Sequence, residues 1–286
     1  MRGGVAITCA TCVTVALLGC AAQTVAPQEP SQLAEGASRA EQPAQEPVPE
    51  PTEESTEQSA QEPVAAPAQK PMDVRGIPAE TIVRDDQIAR AGGAQAFFWT
   101  EEIPNEVFAR MEGKSFGDDC TVARDELRYL RVLHRDAQGN ARVGELVVNA
   151  SVANEVLDIF WQLYLASYPI HRMHLVDDYD ASDEASCADD NTSAFNYRPI
   201  SGGTTLSNHA LGLAIDINTY ENPYYIPATG HLFPPEATRY LDRSLDEPYM
   251  IHPGDLCHQL FVEHGWAWGG DWQRVLDYQH FEKPQG

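Results

Sequence analysis

The sequence predicts an α+β domain with a mainly antiparallel sheet covered by helices, behind an N-terminal region that does not fold with it. Strand and helix patterns follow one another in mixed order, without the regular alternation that builds a parallel sheet. A hairpin pattern leads directly into an amphipathic helix pattern. The composition also changes after about residue 72, where a segment rich in Pro, Gln and Glu ends.

The N-terminus has the pattern of an export signal. Arg2 precedes an apolar stretch, from Val5 to Leu18, that is too short for a membrane-spanning helix. The stretch ends in Leu-Leu-Gly-Cys, which resembles the bacterial lipobox. We therefore interpret residues 1–19 as a lipoprotein signal peptide and Cys20 as the lipidated first residue of an exported, membrane-anchored protein that faces the periplasm or cell wall. An ordinary signal peptide with an incidental cysteine is the alternative.

Residues 20–72 are predicted to form a disordered tether. This segment is poor in aromatic residues and carries nine glutamates against Arg39 and Lys70. Such a composition cannot bury enough apolar surface to offset the entropy lost on ordering. A Pro-rich chain of this length extends at most to about 160 Å, which suits action on a polymer some distance from the membrane.

The charge of the chain excludes some partners. The formal net charge is −24, and most of it belongs to the part after the tether. So acidic a domain is a poor candidate for binding nucleic acid or anionic lipid. We therefore expect no nucleic acid, membrane contact only through the lipid anchor, and no protein partner implied by the sequence.

The folded part is expected over residues 98–286, after a lead-in over residues 73–97 that packs loosely or contributes a short helix. Two β-rich runs, residues 127–136 and 142–150, are separated by Ala-Gln-Gly-Asn. The glycine and asparagine have the backbone freedom that a hairpin turn requires. These runs predict a β-hairpin.

A helix is predicted over about residues 152–167, with Ser151 as its N-cap and one apolar face that covers the sheet. Pro169 would end it. Residues 171–177 are expected to form another strand.

The C-terminal half contains a long polar loop and a second predicted helix. Residues 178–194 form the loop, and loops of this length are usually functional or disordered. The second amphipathic helix spans about Pro253 to His264, with Gly265 as its C-cap residue. A tryptophan cluster that follows can line a substrate groove or pack in the core, and it consists of Trp266, Trp268 and Trp272.

Three cysteines remain in the folded part, Cys120, Cys187 and Cys257. Disulfides persist in exported proteins, and an odd number leaves one thiol unpaired. We favour the pair Cys120 and Cys257, although the sequence does not choose among the three possible pairings.

Asp216 is a charge inside the apolar run Leu-Ala-Ile-Asp-Ile. A buried carboxylate needs a partner, because taking it out of water costs several kcal/mol. His209 lies seven residues earlier, and an odd spacing along a regular strand would put the two side chains on opposite faces. Gly212 can turn the chain so that both reach one metal ion. The alternative is a surface histidine and an aspartate bonded to a nearby backbone amide.

Asp277 and His280 supply the remaining parts of a candidate metal site. Their i, i+3 spacing places them together on one helical or tight turn. Catalytic zinc typically has three nitrogen or oxygen ligands and an open position for water. His280 can be the third ligand, and Asp277 can stand beside the metal to accept and return a proton.

Three motifs together resemble the VanY-type D-alanyl-D-alanine carboxypeptidase family. They are S-x-H-x-x-G-x-A-x-D from Ser207 to Asp216, G-G-D-W from Gly269 to Trp272, and D-x-x-H-F from Asp277 to Phe281. That family includes VanX-like dipeptidases and L-alanyl-D-glutamate endolysins. It shares its zinc site with lysostaphin-type peptidases and the hedgehog signalling domain. The resemblance spans about residues 98–286 and implies the same α+β zinc domain.

The resemblance also implies roles for individual residues. It implies one zinc ion with the ligands His209, Asp216 and His280. Asp277 would be the general base, Ser207 would bind substrate, and Arg198 would contact substrate and stabilise the oxyanion. Arg198 lies closer to the first ligand than in VanY and VanX relatives. Its alternative is a surface arginine paired with Asp189 or Asp190. The other histidines are interpreted as surface or packed residues.

The resemblance implies a zinc peptidase that cuts peptidoglycan stem peptides, most simply as a D,D-carboxypeptidase. Shared site residues do not set the scissile bond, so an endopeptidase that cuts L-Ala–D-Glu or a cross-link is the alternative within this class. A catalytically inactive zinc-binding cell-wall lipoprotein is the alternative from another class. Retention of Asp277 beside all three ligands favours catalysis.

Overall fold

The computed structural model describes residues 71–200 and 203–284, all within the second of two units, Val64–Gly286. The predicted signal peptide, the tether up to residue 70 and Cys20 lie outside the described residues. The helices are α1 (Asp85–Arg90), α2 (Asn105–Met111), α3 (Ala153–Leu165), α4 (Asp183–Ala188) and α5 (Leu256–Glu263). No helix in the described ranges is long and apolar enough to cross a membrane.

The strands form three antiparallel sheets, which confirms the α+β class. One sheet has the order β1-β4-β3-β2, a second has β5-β10-β8, and a third has β7-β6-β9. The strands are β1 (Ile82–Val83), β2 (Trp99–Glu101), β3 (Leu127–Arg135), β4 (Ala141–Asn149), β5 (Ala214–Asp216), β6 (Tyr224–Ile226), β7 (His231–Phe233), β8 (Ala267–Trp268), β9 (Leu276–Asp277) and β10 (His280–Glu282).

The predicted hairpin is present as β3 and β4, in a register that runs from Leu127 opposite Asn149 to Arg135 opposite Ala141. The segment before residue 98 also joins this sheet, because β1 pairs with β4. The same segment contains the short helix α1. The short helix expected as one alternative for the lead-in is therefore present, and β1 also joins this segment to the sheet.

The helix predicted after the hairpin is present as α3, and it packs on β3. Its N-cap is Val152, so the assignment of Ser151 was wrong. The Ser151 hydroxyl instead donates to the side-chain oxygen of Asn149 over 2.7 Å. A serine hydroxyl satisfied by its own turn is not available to cap the helix.

Residues 171–177 do not form the predicted strand and make only an isolated bridge between Arg172 and Asn191. The Asn191 side chain accepts from the backbone N–H of His174 (2.8 Å) and donates to its carbonyl (3.2 Å). These bonds satisfy backbone groups that a strand would pair with a neighbouring strand. The predicted long loop that follows contains α4, whose first turn is capped by Ser182.

The main hydrophobic core runs from the four-stranded sheet to β10 through three phenylalanines. Phe160 of α3 contacts Phe261 of α5 with ring centroids 6.4 Å apart, and Phe261 stacks on Phe281 of β10 at 4.3 Å. The predicted second helix is thus present as α5, although Asp255 caps it and it begins later than expected. His264 is the C-cap residue, and Gly265 follows in a left-handed conformation.

Two of the clustered tryptophans belong to this core. Trp266 and Trp268 are each 3% exposed, so the groove interpretation is wrong for them. Their indole N–H groups donate to Glu155 and to the backbone carbonyl of Tyr278. Burying both rings with satisfied N–H groups anchors β8 beside β10.

The tentative disulfide between Cys120 and Cys257 is not formed, and the three cysteines of the described residues are free thiols. Cys257 is fully buried in the main core. Cys120 packs with a separate cluster around α2. Because the two thiols belong to different clusters, they do not approach each other.

Candidate metal centre

His209 lies in a short 3₁₀ helix, Asn208–Leu211, that turns the chain back toward β5. The Ser207 hydroxyl accepts from the backbone N–H of His209 over 3.3 Å and caps this helix. Gly212 ends it in a left-handed conformation, with φ at +66°. The turn expected at His-Ala-Leu-Gly is therefore present, and it overcomes the odd spacing between His209 and Asp216.

Substitution of Gly212 by Ala is expected to destabilise the fold. The new Cβ would lie 2.5 Å from the Asn149 nitrogen and 2.9 Å from the Val148 carbonyl carbon, in addition to the left-handed strain. We expect a loss of more than about 1 kcal/mol in the free energy of unfolding, measured by urea denaturation. Gly230→Ala is the matched control, because its φ is +72° but nothing lies within 4 Å of the added carbon. Equal losses in both variants would contradict the crowding at Gly212.

Three potential ligand atoms converge between β5, β10 and the 3₁₀ helix. Asp216 and His280 are directly opposite each other in the antiparallel pair of β5 and β10. His280 Nδ1 lies 3.0 Å from Asp216 Oδ1, and His209 Nε2 lies 3.1 Å from Asp216 Oδ2. The two ring nitrogens are 3.2 Å apart. All three residues are buried.

The spacing of these atoms fits a zinc ion. At bond lengths of about 2.0–2.1 Å, two ligands of a tetrahedral zinc are separated by about 3.3 Å. The two ring nitrogens, 3.2 Å apart, are close to that separation, as are the distances of 3.0 and 3.1 Å from each nitrogen to one of the two Asp216 oxygens. Two imidazoles and a carboxylate are also a donor set typical of catalytic zinc. The residues present therefore fit the metal that the sequence predicts.

The hydrogen bonds on the far side of each imidazole orient the ligands. His209 Nδ1 lies 2.6 Å from the Ala194 carbonyl, so it donates there and Nε2 faces the site. His280 Nε2 lies 3.3 Å from a Glu282 carboxylate oxygen, which leaves Nδ1 for the metal. Such partners fix the tautomer and raise the basicity of a ligand.

The charges and hydrogen bonds of the site explain why Asp216 can be buried. Burial by itself would raise the pKa of Asp216, but the charges and hydrogen bonds of His209 and His280 hold that pKa well below its usual range. Burial lowers the pKa of His280, but Asp216 and Glu282 outweigh it and raise this pKa to about 10. The group thus holds positive charge beside Asp216, and a metal ion would replace the proton.

Asp277 ends β9, three residues before His280 begins β10, and it is not one of the three converging ligands. Its Oδ1 atom is buried without a hydrogen-bond partner in the described structure. Burial raises its pKa; His280 lowers it and Asp216 raises it again, with a result of about 7. The backbone at Gly269 packs so closely that a Cβ there would lie 2.8 Å from the Asp277 Cβ. The second motif therefore holds Asp277 beside the ligands.

Arg198 forms an ion pair with Asp183, the first residue of α4, over 2.5 Å. This is not the pairing that the alternative interpretation named, since Asp189 instead pairs with Arg172. No ion pair joins Arg198 to Asp190 in the described structure. The arginine is partly buried rather than on the open surface.

Arg198 nevertheless interacts electrostatically with one candidate ligand, Asp216. Burial lowers the pKa of Arg198, but Asp183 and Asp216 raise it above its ordinary value, so the guanidinium stays charged. Its Nε atom is buried and has no hydrogen-bond partner among the described residues. A charged guanidinium with a free N–H group is the kind of donor that an oxyanion contact requires, and the role of Arg198 in such a contact stays a prediction.

Two further residues differ in their access to a substrate. Ser207, predicted to bind substrate, is only 7% exposed, and its hydroxyl accepts the hydrogen bond that caps the 3₁₀ helix. Trp272 is partly exposed, and its ring centroid lies 5.4 Å from that of His280. Of the tryptophan cluster, Trp272 alone is therefore placed to line the mouth of the site.

Glu282 is the site residue that the sequence reasoning missed. It accepts from Asn208 Nδ2 over 2.6 Å as well as from His280, so it joins both ligand-bearing segments. The sequence contained a pattern that could have identified Glu282. Residues i and i+2 of a strand share a face, and Glu282 follows His280 at that spacing.

Replacement of Glu282 by Gln is expected to lower zinc affinity about tenfold, since loss of a supporting carboxylate typically costs 10- to 100-fold. The amide oxygen can still accept from His280, which favours the lower value. Competition with a chromophoric chelator measures the affinity. Glu263→Gln changes an exposed glutamate and serves as the control. Unchanged affinity in Glu282→Gln would show that the contact to His280 does not tune the metal.

Comparison with known proteins identifies one part of the chain. Comparison with curated proteins and with solved structures found no match. Residues 201–283 match the model of a family described as D-alanyl-D-alanine carboxypeptidase. The matched segment contains His209, Asp216, Asp277 and His280 and supports a metallopeptidase-type enzyme. The resemblance of this region to the VanY-type D-alanyl-D-alanine carboxypeptidase family is therefore confirmed.

Proposed function

We propose that the protein is a zinc D,D-carboxypeptidase that removes the terminal D-alanine from peptidoglycan stem peptides. The buried group His209, Asp216 and His280, with the carboxylate of Asp277 beside it, carries the proposal. Three nitrogen or oxygen ligands and a separate proton acceptor are the parts that metal-assisted amide hydrolysis requires. The family match over residues 201–283 supports the choice of bond.

The side chains divide the chemical work. Zinc, when bound, would supply a Lewis acid that polarises the scissile carbonyl and lowers the pKa of water. Asp216 stays ionised during the reaction and acts only as a metal ligand. Asp277 accepts a proton from the attacking water and donates it to the departing amine nitrogen, so it ends each cycle unchanged. A pKa of about 7 suits both transfers.

Arg198 is assigned to the negative charge that develops on the substrate. Its guanidinium stays charged, and its Nε–H group is free to donate. A fixed cation near the carbonyl oxygen stabilises the tetrahedral intermediate more than the planar substrate. Asp183 holds the arginine in place by accepting from its Nη2 group.

The proposal extends to the place of action. Cys20 would carry the lipid, and residues 20–72 would span the distance from a bacterial membrane to the cell wall. Mass spectrometry of the membrane fraction tests this, since the mature N-terminal peptide should carry acyl chains and Cys20→Ala should release the protein.

The full-length chain, loaded with one equivalent of zinc, tests the activity on purified muropeptides with intact stems. Mass spectrometry that finds loss of one terminal alanine supports the proposal. Release of longer stem fragments would make the protein an endopeptidase instead. A zinc-loaded chain that gives neither product would be the inactive zinc-binding lipoprotein.

A further inference from the structure

A cavity of about 940 Å³ opens on the face of the four-stranded sheet that α3 does not cover. Its lining includes Trp99 of β2, Arg110 of α2, Arg131 of β3 and Glu145 of β4. None of the three candidate zinc ligands borders it. The volume is in the range of pockets that bind small molecules.

Arg131 is the unusual feature of this cavity. The residue is 6% exposed, and its guanidinium donates to the Tyr129 hydroxyl over 2.9 Å and to the Ile77 carbonyl over 2.5 Å. It forms no ion pair with any residue in the described ranges. The Tyr129 hydroxyl in turn donates to Glu145 over 2.6 Å, so Arg131 reaches this carboxylate only through the hydroxyl. Burying a guanidinium without a directly bonded carboxylate is costly, so an anion from outside the chain would be a favourable partner.

Two carboxylates of the cavity, Glu145 and Asp178, share one arginine. Arg110 donates to both oxygens of Glu145, over 2.5 and 3.1 Å, and to Asp178 over 2.9 and 3.0 Å. Glu145, Asp178 and His174 lie close enough together to hold a metal ion. The guanidinium of Arg110 occupies the space between these carboxylates, which disfavours a second cation there.

A second arginine borders the same cavity without a carboxylate partner. Arg124 donates to Asn105 Oδ1 over 2.9 Å and to the Ile103 carbonyl, and its charge lies 4.2 Å from the centroid of the Phe108 ring. No ion pair to Arg124 occurs in the described part of the chain. The cavity thus offers two cations whose charge is not compensated by a bonded carboxylate.

The mouth of the cavity has the opposite character. Glu102 and Glu106 line it and are exposed. Neither forms an ion pair with a described residue. A ligand that is anionic at one end and cationic at the other would complement both the interior arginines and these glutamates.

We infer that this cavity binds a short peptide by its free C-terminal carboxylate, with Arg131 and Arg124 as the recognising cations. A guanidinium matches a carboxylate with two parallel hydrogen bonds. The peptide amine, at the other end, faces Glu102 and Glu106. The ring of Trp99 supplies an apolar wall for the intervening side chains. This inference does not depend on the zinc site or on the proposed reaction.

Calorimetric titration of the full-length protein with trialanine and with trialanine amide tests the inference. We expect the amide, which lacks the carboxylate, to bind at least about tenfold more weakly. Arg131→Met should weaken trialanine binding by a similar factor. Arg124→Gln changes a partly exposed residue and should weaken it in the same direction, so the test survives if Arg131→Met does not fold. His209→Ala should leave the affinity unchanged, because the candidate zinc centre is a separate site.

Three results would overturn the inference. Equal affinities for the acid and the amide would exclude recognition of the carboxylate. Absence of trialanine binding at millimolar concentration would exclude a peptide site. A second equivalent of Zn²⁺ that is lost in His174→Ala would show that the cavity is a metal site instead.

Discussion

Asp277→Asn is expected to lower kcat/KM for a stem pentapeptide by about 10²- to 10⁴-fold while zinc content stays at about one per chain. The amide is nearly the same size as the carboxylate, so the packing against Gly269 is preserved. It cannot take a proton from water. Asp277 is not among the three converging ligands, which is why the metal should remain.

The pH dependence of the wild type provides a second readout of the same residue. A general base works only when ionised, so activity should fall as the pH drops through the pKa of Asp277, which burial raises to about 7. A bound zinc cation would shift this pKa downward, because it favours the charged carboxylate. The acidic limb of the profile should be absent in Asp277→Asn.

Asp246→Asn, at an exposed aspartate outside the site, is the control and should behave like the wild type. Full activity in Asp277→Asn would exclude Asp277 as the general base. Loss of zinc together with activity would mean that Asp277 holds the metal rather than moving a proton. Rate assays and metal analysis of the same sample separate these cases.

His209→Ala is expected to lower zinc affinity by more than about 100-fold, beyond what loss of a supporting residue causes. The remaining pair, Asp216 and His280, leaves the metal with two protein ligands. Metal analysis after dialysis should therefore find well under one zinc per chain. Zinc should raise the unfolding temperature of the wild type and not of this variant, because binding to the folded state stabilises it.

The exposed histidine His231 provides the matched control, and His231→Ala should keep its zinc. Unchanged zinc content in His209→Ala would remove this histidine from the metal site. An unfolded His209→Ala chain would be recognised by circular dichroism. In that case His209→Gln tests the same ligand with less loss of volume.

Local patterns were enough for much of the fold. The hairpin of β3 and β4 follows from β-rich runs with turn residues between them, and α3 follows from apolar spacing on one face. The turn at Gly212 also follows from local chemistry, since a left-handed position favours glycine. Each of these features depends on residues that are close in the chain.

The wrong predictions have two causes. Some depend on partners that are distant in the chain, and others on a hydrogen bond that competes with the predicted one. The strand expected over residues 171–177 is absent because the side chain of Asn191 binds its backbone. Cys120 and Cys257 stay apart because their segments pack into different clusters. Ser151 does not cap α3 because its hydroxyl has a nearer acceptor. A pattern of residue types does not reveal which of several acceptors a side chain will choose.

The sequence by itself determined the residue types of the site and their grouping, with His209 and Asp216 on one segment and Asp277 and His280 on another. Only the tertiary structure decided that these segments become neighbouring antiparallel strands, with ligand atoms 3.0–3.2 Å apart. The tertiary structure also decided that the Glu282 carboxylate bonds to His280 Nε2. The physical reason is that metal ligation and hydrogen bonding depend on distances of a few tenths of an ångström, and the packing of the whole domain sets those distances.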